Sequence, residues 1–466
     1  MKQKQVSFGR CFACLLAVTV ILSSFSAFGV SAGTIGGFTF ENVEGGVRIV
    51  SADVDTPNIV IPASLGGKPV VEIGRMVFST KPYQEKLESV TLPEGLLVIG
   101  EGAFQYCEAL KNVNIPSTVK TIERNAFQSC PIEFVSLPEG LVSVGMAAFR
   151  WTSIRELYIP KSLTSLDAMA FSGCDELRYI TVAEDHPLYT ASGNCLIDKE
   201  GTIVLGCSAS VIPTDGSAVA IGDHAFRYLD FETFVIPSAI KSIGYCAFSQ
   251  CHIQRLELND GLEKIGVEAF SDCFDIEIVD LPATVTEIGN EAFLMCEHLK
   301  SVTLPSGLKI MGERAFAHCD ALENVEIPNG VETLGWYAFS ECEKLKSVSI
   351  PASVTTVEGG VFSGCVSLTK ISCGASSKPE GWNDDWLSGC EAEVEWSKEN
   401  TKLGDINSDG RINVADYTLL KRAVLKTYTL SEEQKSSADV NGDGRINVAD
   451  YTLLKRFVMG TIEKLG

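Results

Sequence analysis

The sequence predicts two folded units of different class: a long, mainly β solenoid built from 22–23-residue turns, and behind it a small all-α unit. Two observations carry this. A phenylalanine recurs at Phe78, Phe104, Phe127, Phe149, Phe171, Phe226, Phe248, Phe270, Phe293, Phe316, Phe339 and Phe362, most steps being 22 or 23 residues. Further on, the same fourteen residues, DGRINVADYTLLKR, occupy 409–422 and 443–456. No 23-residue unit encloses a core alone, so copies of it must stack.

Residues 1–32 read as a secretory signal. Lys2, Lys4 and Arg10 form its charged region, Cys11 to Leu22 its apolar stretch, and Val30-Ser31-Ala32 its small-residue cleavage site. The apolar stretch is too short to span a bilayer, and no later segment is apolar enough. The expectation is an exported protein with no membrane span. The formal charge is −22, yet residues 404–466 balance nine acidic against nine basic residues. The negative excess therefore lies in the body of the chain, and such a surface repels nucleic acid.

Gly37 to Val60 reads as a β-hairpin with its turn at Glu44-Gly45-Gly46, capping the stack over 33–64. Repeats fill 65–374. In the copy from Leu299 to Cys319, Leu299, Val302 and Leu304 point inward from a short strand, and Pro305 ends it because proline cannot donate to a ladder. Gly312 is expected at a tight corner, with Ala315-Phe316 filling the interior. This unit, Leu-x-x-Ile-x-Ile-Pro followed by Ile-Gly-x-x-Ala-Phe-x-x-Cys, resembles that of the BspA-like leucine-rich repeat family. The resemblance implies a right-handed leucine-rich-repeat solenoid that serves protein–protein interaction or adhesion. Twelve anchors at about 4.8 Å per stacked strand imply a core about 55 Å long. The period breaks once, between Phe171 and Phe226. There, at about 183–212, apolar runs flank Lys199-Glu200-Gly201, which predicts a hairpin protruding from the stack. Trp382, Trp386 and Trp396 lie in a segment, 375–396, that resembles the family's C-terminal cap, which shields the last strand edge. Residues 397–403 are a short link.

Nine cysteines share the position three after the phenylalanine: Cys107, Cys130, Cys174, Cys251, Cys273, Cys296, Cys319, Cys342 and Cys365. Export invites a disulfide reading. A column at the solenoid period instead indicates small buried thiols stacked as a ladder, and Thr152 or Leu229 at the same position fits a packing role. Cys195 and Cys207 are the best disulfide candidates, facing each other across the inserted hairpin.

Each C-terminal duplicate completes a loop of twelve residues, Asp405 to Asp416 and Asp439 to Asp450. Calcium takes six to eight oxygens, and such loops supply them from positions 1, 3, 5, 7, 9 and 12. The side chains of Asp405, Asn407, Asp409 and Asp416, with the carbonyl of Arg411, make one candidate set. Asp439, Asn441, Asp443 and Asp450, with the carbonyl of Arg445, make the other, so two ions are expected. Gly410 and Gly444 sit where each loop turns sharply, and Ile412 and Ile446 are placed to fix the loops to a shared core. Position 12 is Asp rather than Glu, a shorter arm. The helix that would precede each loop in a full helix–loop–helix hand is missing: the first loop follows Lys402-Leu403-Gly404 directly, the second only a short segment. This loop-then-helix arrangement over about 403–466 resembles a type I dockerin. The resemblance implies calcium-dependent docking on a cohesin module of a scaffold protein, hence a component of an extracellular, cell-surface cellulosome. It also implies partner contact at Val414, Ala415, Lys421 and Arg422 and, in the second copy, at Val448, Ala449, Lys455 and Arg456. The copies match residue for residue, so two interchangeable docking orientations are expected.

No catalytic constellation emerges. The five histidines occupy different repeat columns, so no pair is placed to share a metal or orient a nucleophile. Neither Gly-x-Ser-x-Gly nor His-Glu-x-x-His nor a phosphate loop is present. Acidic pairs on a repeat surface arise by chance, with no deep barrel to desolvate one as glycoside hydrolysis requires. Tyr106, Trp151 and Tyr228 share the position two after the phenylalanine and line one edge, where rings stack on sugars or on a protein's apolar groups. The sequence therefore predicts a non-catalytic cellulosome component whose solenoid mediates protein interaction or adhesion. The alternatives are plant polysaccharide binding by the solenoid and, more weakly, an undetected glycoside hydrolase.

Overall fold

The computed structural model describes residues 32–397, 403–462 and 464–465. The expected secretory signal and most of the link at 397–403 lie outside these residues.

One turn of the solenoid shows how the repeat builds it. Around Phe316 the chain enters the left-handed region twice, at Arg314 (φ 50°) and His318 (φ 57°). Those two reversals aim alternate N–H groups at the next turn: Arg314 N donates to Trp336 O (2.8 Å), Phe316 N to Ala338 O (2.8 Å) and His318 N to Ser340 O (2.9 Å). The Phe316 side chain turns inward and is fully buried. Gly312 serves close approach rather than a corner. Its φ is not positive, and a Cβ there would lie 2.5 Å from Asn290 N of the previous turn.

Repetition stacks these turns in register. Two-residue parallel strands such as Ser242–Ile243, Lys264–Ile265 and Glu287–Ile288 place isoleucine on isoleucine. A second parallel ladder runs through Ile278–Asp280, Ser301–Thr303, Asn324–Glu326, Ser347–Ile350, Lys370–Cys373 and Glu393–Trp396. The phenylalanines stack with centroids 5.0–5.9 Å apart and planes within 15°. Phe38–Val43 and Gly46–Ala52 pair as an antiparallel hairpin at the start, joined by a third strand, Gly33–Ile35. At the other end Phe362 meets Trp386 edge-to-face at 6.4 Å, and Trp382 packs on Trp386 at 4.9 Å. The Trp382 indole N–H donates to Val354 O at 3.0 Å.

The cysteine column is a packing and hydrogen-bonding ladder. Cys296 Sγ donates to Phe270 O (3.3 Å), Cys319 to Phe293 O (3.4 Å) and Cys342 to Phe316 O (3.2 Å), each reaching the anchor carbonyl of the turn before. A thiol is small enough for the column and still donates to a buried carbonyl; at Phe293 O that bond adds to one from Cys296 N at 3.4 Å. Burial pushes these thiols up, to about 11 at Cys174 and about 12 at Cys251.

The insert departs from expectation in two ways. It does not protrude. Tyr189–Ser192, Cys195–Asp198 and Thr202–Leu205 form an antiparallel meander whose last strand pairs parallel with Ala220–Ile221, so the insert is a layer of the stack. The physical reason is that Leu196, Ile197, Ile203 and Leu205 are all buried and need covering on both faces. Nor are Cys195 and Cys207 bonded; both are buried free thiols. Pairing Leu196 with Leu205 sets Cys195 level with Gly206, one residue short of Cys207. The phenylalanine stack is interrupted here, and Gly206 lies so close to Phe226 that a Cβ would fall 1.9 Å from its ring.

Three helices form the C-terminal unit: α1 (Val414–Val424), α2 (Glu432–Ala438) and α3 (Val448–Val458). The second loop therefore does follow a helix, contrary to the reading that only a short segment precedes it. Ser431 caps α2 in a reciprocal box with Gln434, and Asp439, the first residue of the loop, is its C-cap. Among the described residues no helix is long and apolar enough to cross a membrane.

Candidate calcium and docking site

Each loop is folded around its own carboxylates. In the first, Asp405 accepts from Asp409 N (3.1 Å) and Gly410 N (2.9 Å), and Asp409 accepts from Arg411 N (2.8 Å). Asp416 is fully buried; one oxygen takes Ile406 N (2.9 Å) and Asn407 N (3.0 Å), the other Asn413 N (2.9 Å). These bonds make Asp416 at once the last residue of the loop and the third helical residue of α1, where it closes a capping box with Asn413. The short Asp arm thus suits a residue that must also hold a helix start. Asn413 and Asn447, at position nine, are N-caps whose side chains accept from Ala415 N and Ala449 N (2.8 Å each).

Oxygens of Asp405, Asp409 and Asp416 converge to within 4.8 Å of one another. Burial, followed by the charge of Asp416, pushes the Asp405 carboxyl above its ordinary value. Crowded carboxylates of this kind, all hard oxygen donors, fit a divalent cation such as calcium, which would offset their repulsion. The second loop repeats the pattern: Asp439 accepts from Asp443 N (3.0 Å) and Gly444 N (2.7 Å), and Asp450 from Asn441 N (3.2 Å) and Asn447 N (2.9 Å). Among the described residues, only the first triad closes to 4.8 Å.

Helices α1 and α3 pack together about equivalent residues. Tyr417 and Tyr451 stack at 5.0 Å and 24°, their hydroxyls in contact, and Leu420 and Leu454 are fully buried. Ile412 and Ile446 pack against the same core. Like residues meeting like is the signature of a two-fold relation between the halves. The tyrosine pair was not read from the sequence as a contact; its duplication was the available signal. On the exposed side Val414 (64 %) and Val448 (62 %) stand clear of the core, and Ala415, Lys421, Arg422, Ala449, Lys455 and Arg456 are also exposed. On this side the first half adds a contact: Arg422 lies over the Tyr428 ring at 5.3 Å.

Comparison with known families places both units. Residues 71–191, 219–323 and 309–381 match the BspA type leucine rich repeat region, in six copies, and residues 403–459 match the dockerin type I domain. The chain belongs to the BspA type leucine-rich repeat family and carries a C-terminal type I dockerin domain. Domains of that type bind calcium and dock on cohesins, and neither family is catalytic. Solved structures similar to the chain are bacterial repeat proteins. A leucine-rich repeat protein from Eubacterium ventriosum is 19% identical, covers 74% of this chain and 95% of its own, and has a TM-score of 0.53. The pneumococcal vaccine antigen PcpA is 19% identical, covers 79% and 94%, and also scores 0.53. A leucine-rich repeat protein from Bacteroides ovatus is 23% identical over 78% and 99%, with a TM-score of 0.47. The first two show the fold. No curated protein matches the chain.

Proposed function

We propose that the chain is an exported, non-catalytic component of an extracellular cellulosome, attached through its C-terminal unit and binding other proteins through its solenoid. The observation that carries this is the duplication of fourteen residues across loop and helix, with carboxylates converging inside the first loop and matching exposed side chains outside. Asp405, Asn407, Asp409, Asp416 and the Arg411 carbonyl hold one calcium ion; Asp439, Asn441, Asp443, Asp450 and the Arg445 carbonyl hold the second. Calcium supplies the positive charge that lets three carboxylates share one loop, so metal affinity and folding of this unit are coupled. With the loops closed, Val414, Ala415, Lys421 and Arg422, or their counterparts Val448, Ala449, Lys455 and Arg456, face a cohesin. Valine and alanine offer it apolar contact, and the Lys-Arg pair favours an acidic rim.

Two measurements on the full chain test this. Chelation exposes residues 404–466 to protease while the solenoid resists; a tail equally resistant in excess chelator contradicts the calcium assignment. Capture from a panel of secreted proteins, set against insoluble plant polysaccharide, tests the solenoid. Retention on polysaccharide alone overturns the protein-binding reading in favour of carbohydrate contact.

A further inference from the structure

The body of the chain carries a strong negative excess, and within it two arginines on nearby turns share an aromatic partner. Arg150 and Arg227 each follow their phenylalanine anchor by one residue, on turns that flank the turn of Phe171. Five other solenoid arginines, Arg48, Arg75, Arg155, Arg255 and Arg314, pair with glutamates. Among the described residues Arg150 and Arg227 form no ion pair, and the Nε of each is buried without a hydrogen-bond partner. Apart from burial itself, the groups acting most strongly on Arg150 are Tyr228, Arg227 and Tyr106, none of them a carboxylate. Carboxylates do surround the pair: Glu176 and Asp230 act on Asp175, and Asp223, Asp167 and Glu268 act with Arg227 on His224, yet among the described residues none forms an ion pair with either arginine.

The rings hold these cations in place. The Arg150 guanidinium carbon lies 3.8 Å from the Trp151 ring centroid and 4.5 Å from that of Tyr228. Trp151 and Tyr228 meet edge-to-face at 5.7 Å although the turn of Phe171 runs between theirs. Gly173 leaves the room, since a Cβ on it would fall 2.4 Å from Trp151 Cδ1. Arg227 lies 4.8 Å over the Tyr228 ring. Trp151 (φ 58°) and Tyr228 (φ 69°) both hold left-handed backbone, a costly conformation for bulky residues, and Trp151 remains 44 % exposed.

We propose that this arginine–aromatic patch is the point at which the solenoid docks an acidic segment of a partner protein. It deepens the protein-binding reading given above and rests on it. Guanidinium groups already fixed by rings lose little freedom on binding carboxylates, and their planar fork suits Asp and Glu side chains. Trp, Tyr and Arg are the residues that dominate binding energy at protein interfaces. The negative excess of the body disfavours such a segment elsewhere, and the combination of fixed guanidinium groups and rings is what marks this patch.

The test uses the full chain and a fluorescein-labelled peptide of alternating glutamate and glycine, with its glutamine analogue, read by fluorescence anisotropy at low ionic strength. The wild type is expected to bind the glutamate peptide about tenfold more tightly than the analogue. Arg150→Gln with Arg227→Gln abolishes that difference, whereas Arg255→Gln, at an arginine already paired with Glu257, leaves it intact. Unchanged thermal melting confirms that the double variant folds, and Arg150→Lys with Arg227→Lys, which keeps charge without the fork, recovers only part of the binding. Equal binding by the wild type and the double glutamine variant overturns the proposal. So does binding of polygalacturonate without the peptide, or self-association as the sole property the substitutions remove. If secreted proteins are captured equally by the wild type and the double variant, the patch assignment fails while the protein-binding reading stands. If neither captures any, that reading fails as well.

Discussion

Replacing Asp416 by alanine should separate the structural from the metal-binding role of the loop carboxylates. In the native unit this buried side chain satisfies three backbone donors, those of Ile406, Asn407 and Asn413. Each buried donor left without a partner costs about 1–3 kcal/mol, so the substitution costs at least about 3 kcal/mol before any loss of calcium affinity. The unit has little to spare. Its buried apolar core comprises Ile406, Leu420, Leu430, Ala438, Val440 and Leu454. Domain stabilities lie at about 5–15 kcal/mol, with the smallest domains lowest. Asp416→Ala is therefore expected to leave the tail largely unfolded even in saturating calcium. Asp409→Asn is the contrast: Asp409 is exposed, and an amide oxygen still accepts from Arg411 N. That variant keeps the fold and loses calcium affinity by about tenfold, because one charge leaves the site. Hydrogen exchange over residues 404–466 reads the folding, and calcium calorimetry on the same full-length variants reads the affinity. Tail amides as protected in Asp416→Ala as in the wild type would refute the reasoning.

Three further outcomes are expected. Phe293 is fully buried, with Phe270 at 5.2 Å and Phe316 at 5.1 Å, so Phe293→Ala should cost about 3–5 kcal/mol in urea unfolding, while exposed Thr303→Ala stays under about 1 kcal/mol; equal midpoints would show the inward register to be wrong. Two of the ladder thiols have folded-state pKa values raised from an ordinary 9.0 by burial, to about 11 at Cys174 and about 12 at Cys251, so there the native state keeps protons the unfolded state releases. Their contribution is complete below about pH 9 and is lost as pH rises towards 11–12, which predicts alkaline destabilisation and slow iodoacetamide labelling of the native protein at pH 8; rapid labelling there would contradict it. The first loop, whose triad converges to 4.8 Å, should bind calcium more tightly than the second, and single-site variants of each loop followed by calorimetry would show the reverse order if preorganisation is not the cause.

The solenoid was legible because its period is written along the chain: a Phe in each regular turn, with a Cys and a Gly at fixed offsets in most, and the structure stacks the phenylalanine column on itself. What the columns do was less legible. The cysteines were read as packing, but their donation to the previous turn's phenylalanine carbonyl depends on a backbone direction that spacing does not specify. Gly312 was read as a corner and is instead a place where adjacent backbones nearly touch. The insert was misjudged because local alternation identifies strands without saying what they pair with; Thr202–Leu205 finds its partner at Ala220–Ile221, beyond the hairpin. The same insert hid the contact between Trp151 and Tyr228, which are distant in sequence and meet over Gly173. At the C-terminal unit the loop residues were evident from spacing alone. Helix α2 was overlooked although Ser431 and Gln434 stand at capping-box spacing.

The central claim is that the duplicated tail is a calcium-dependent, two-faced docking unit. The most direct measurement is calorimetry of the full chain against its cohesin, in calcium and in chelator, with three variants. Binding should vanish in chelator. Lys421→Ala with Arg422→Ala should bind nearly normally in calcium, as should Lys455→Ala with Arg456→Ala, because the untouched half takes over; only the quadruple variant should lose most of its affinity. Binding that persists in chelator would contradict calcium dependence, and a large loss from either double variant alone would contradict interchangeable docking in favour of one fixed orientation.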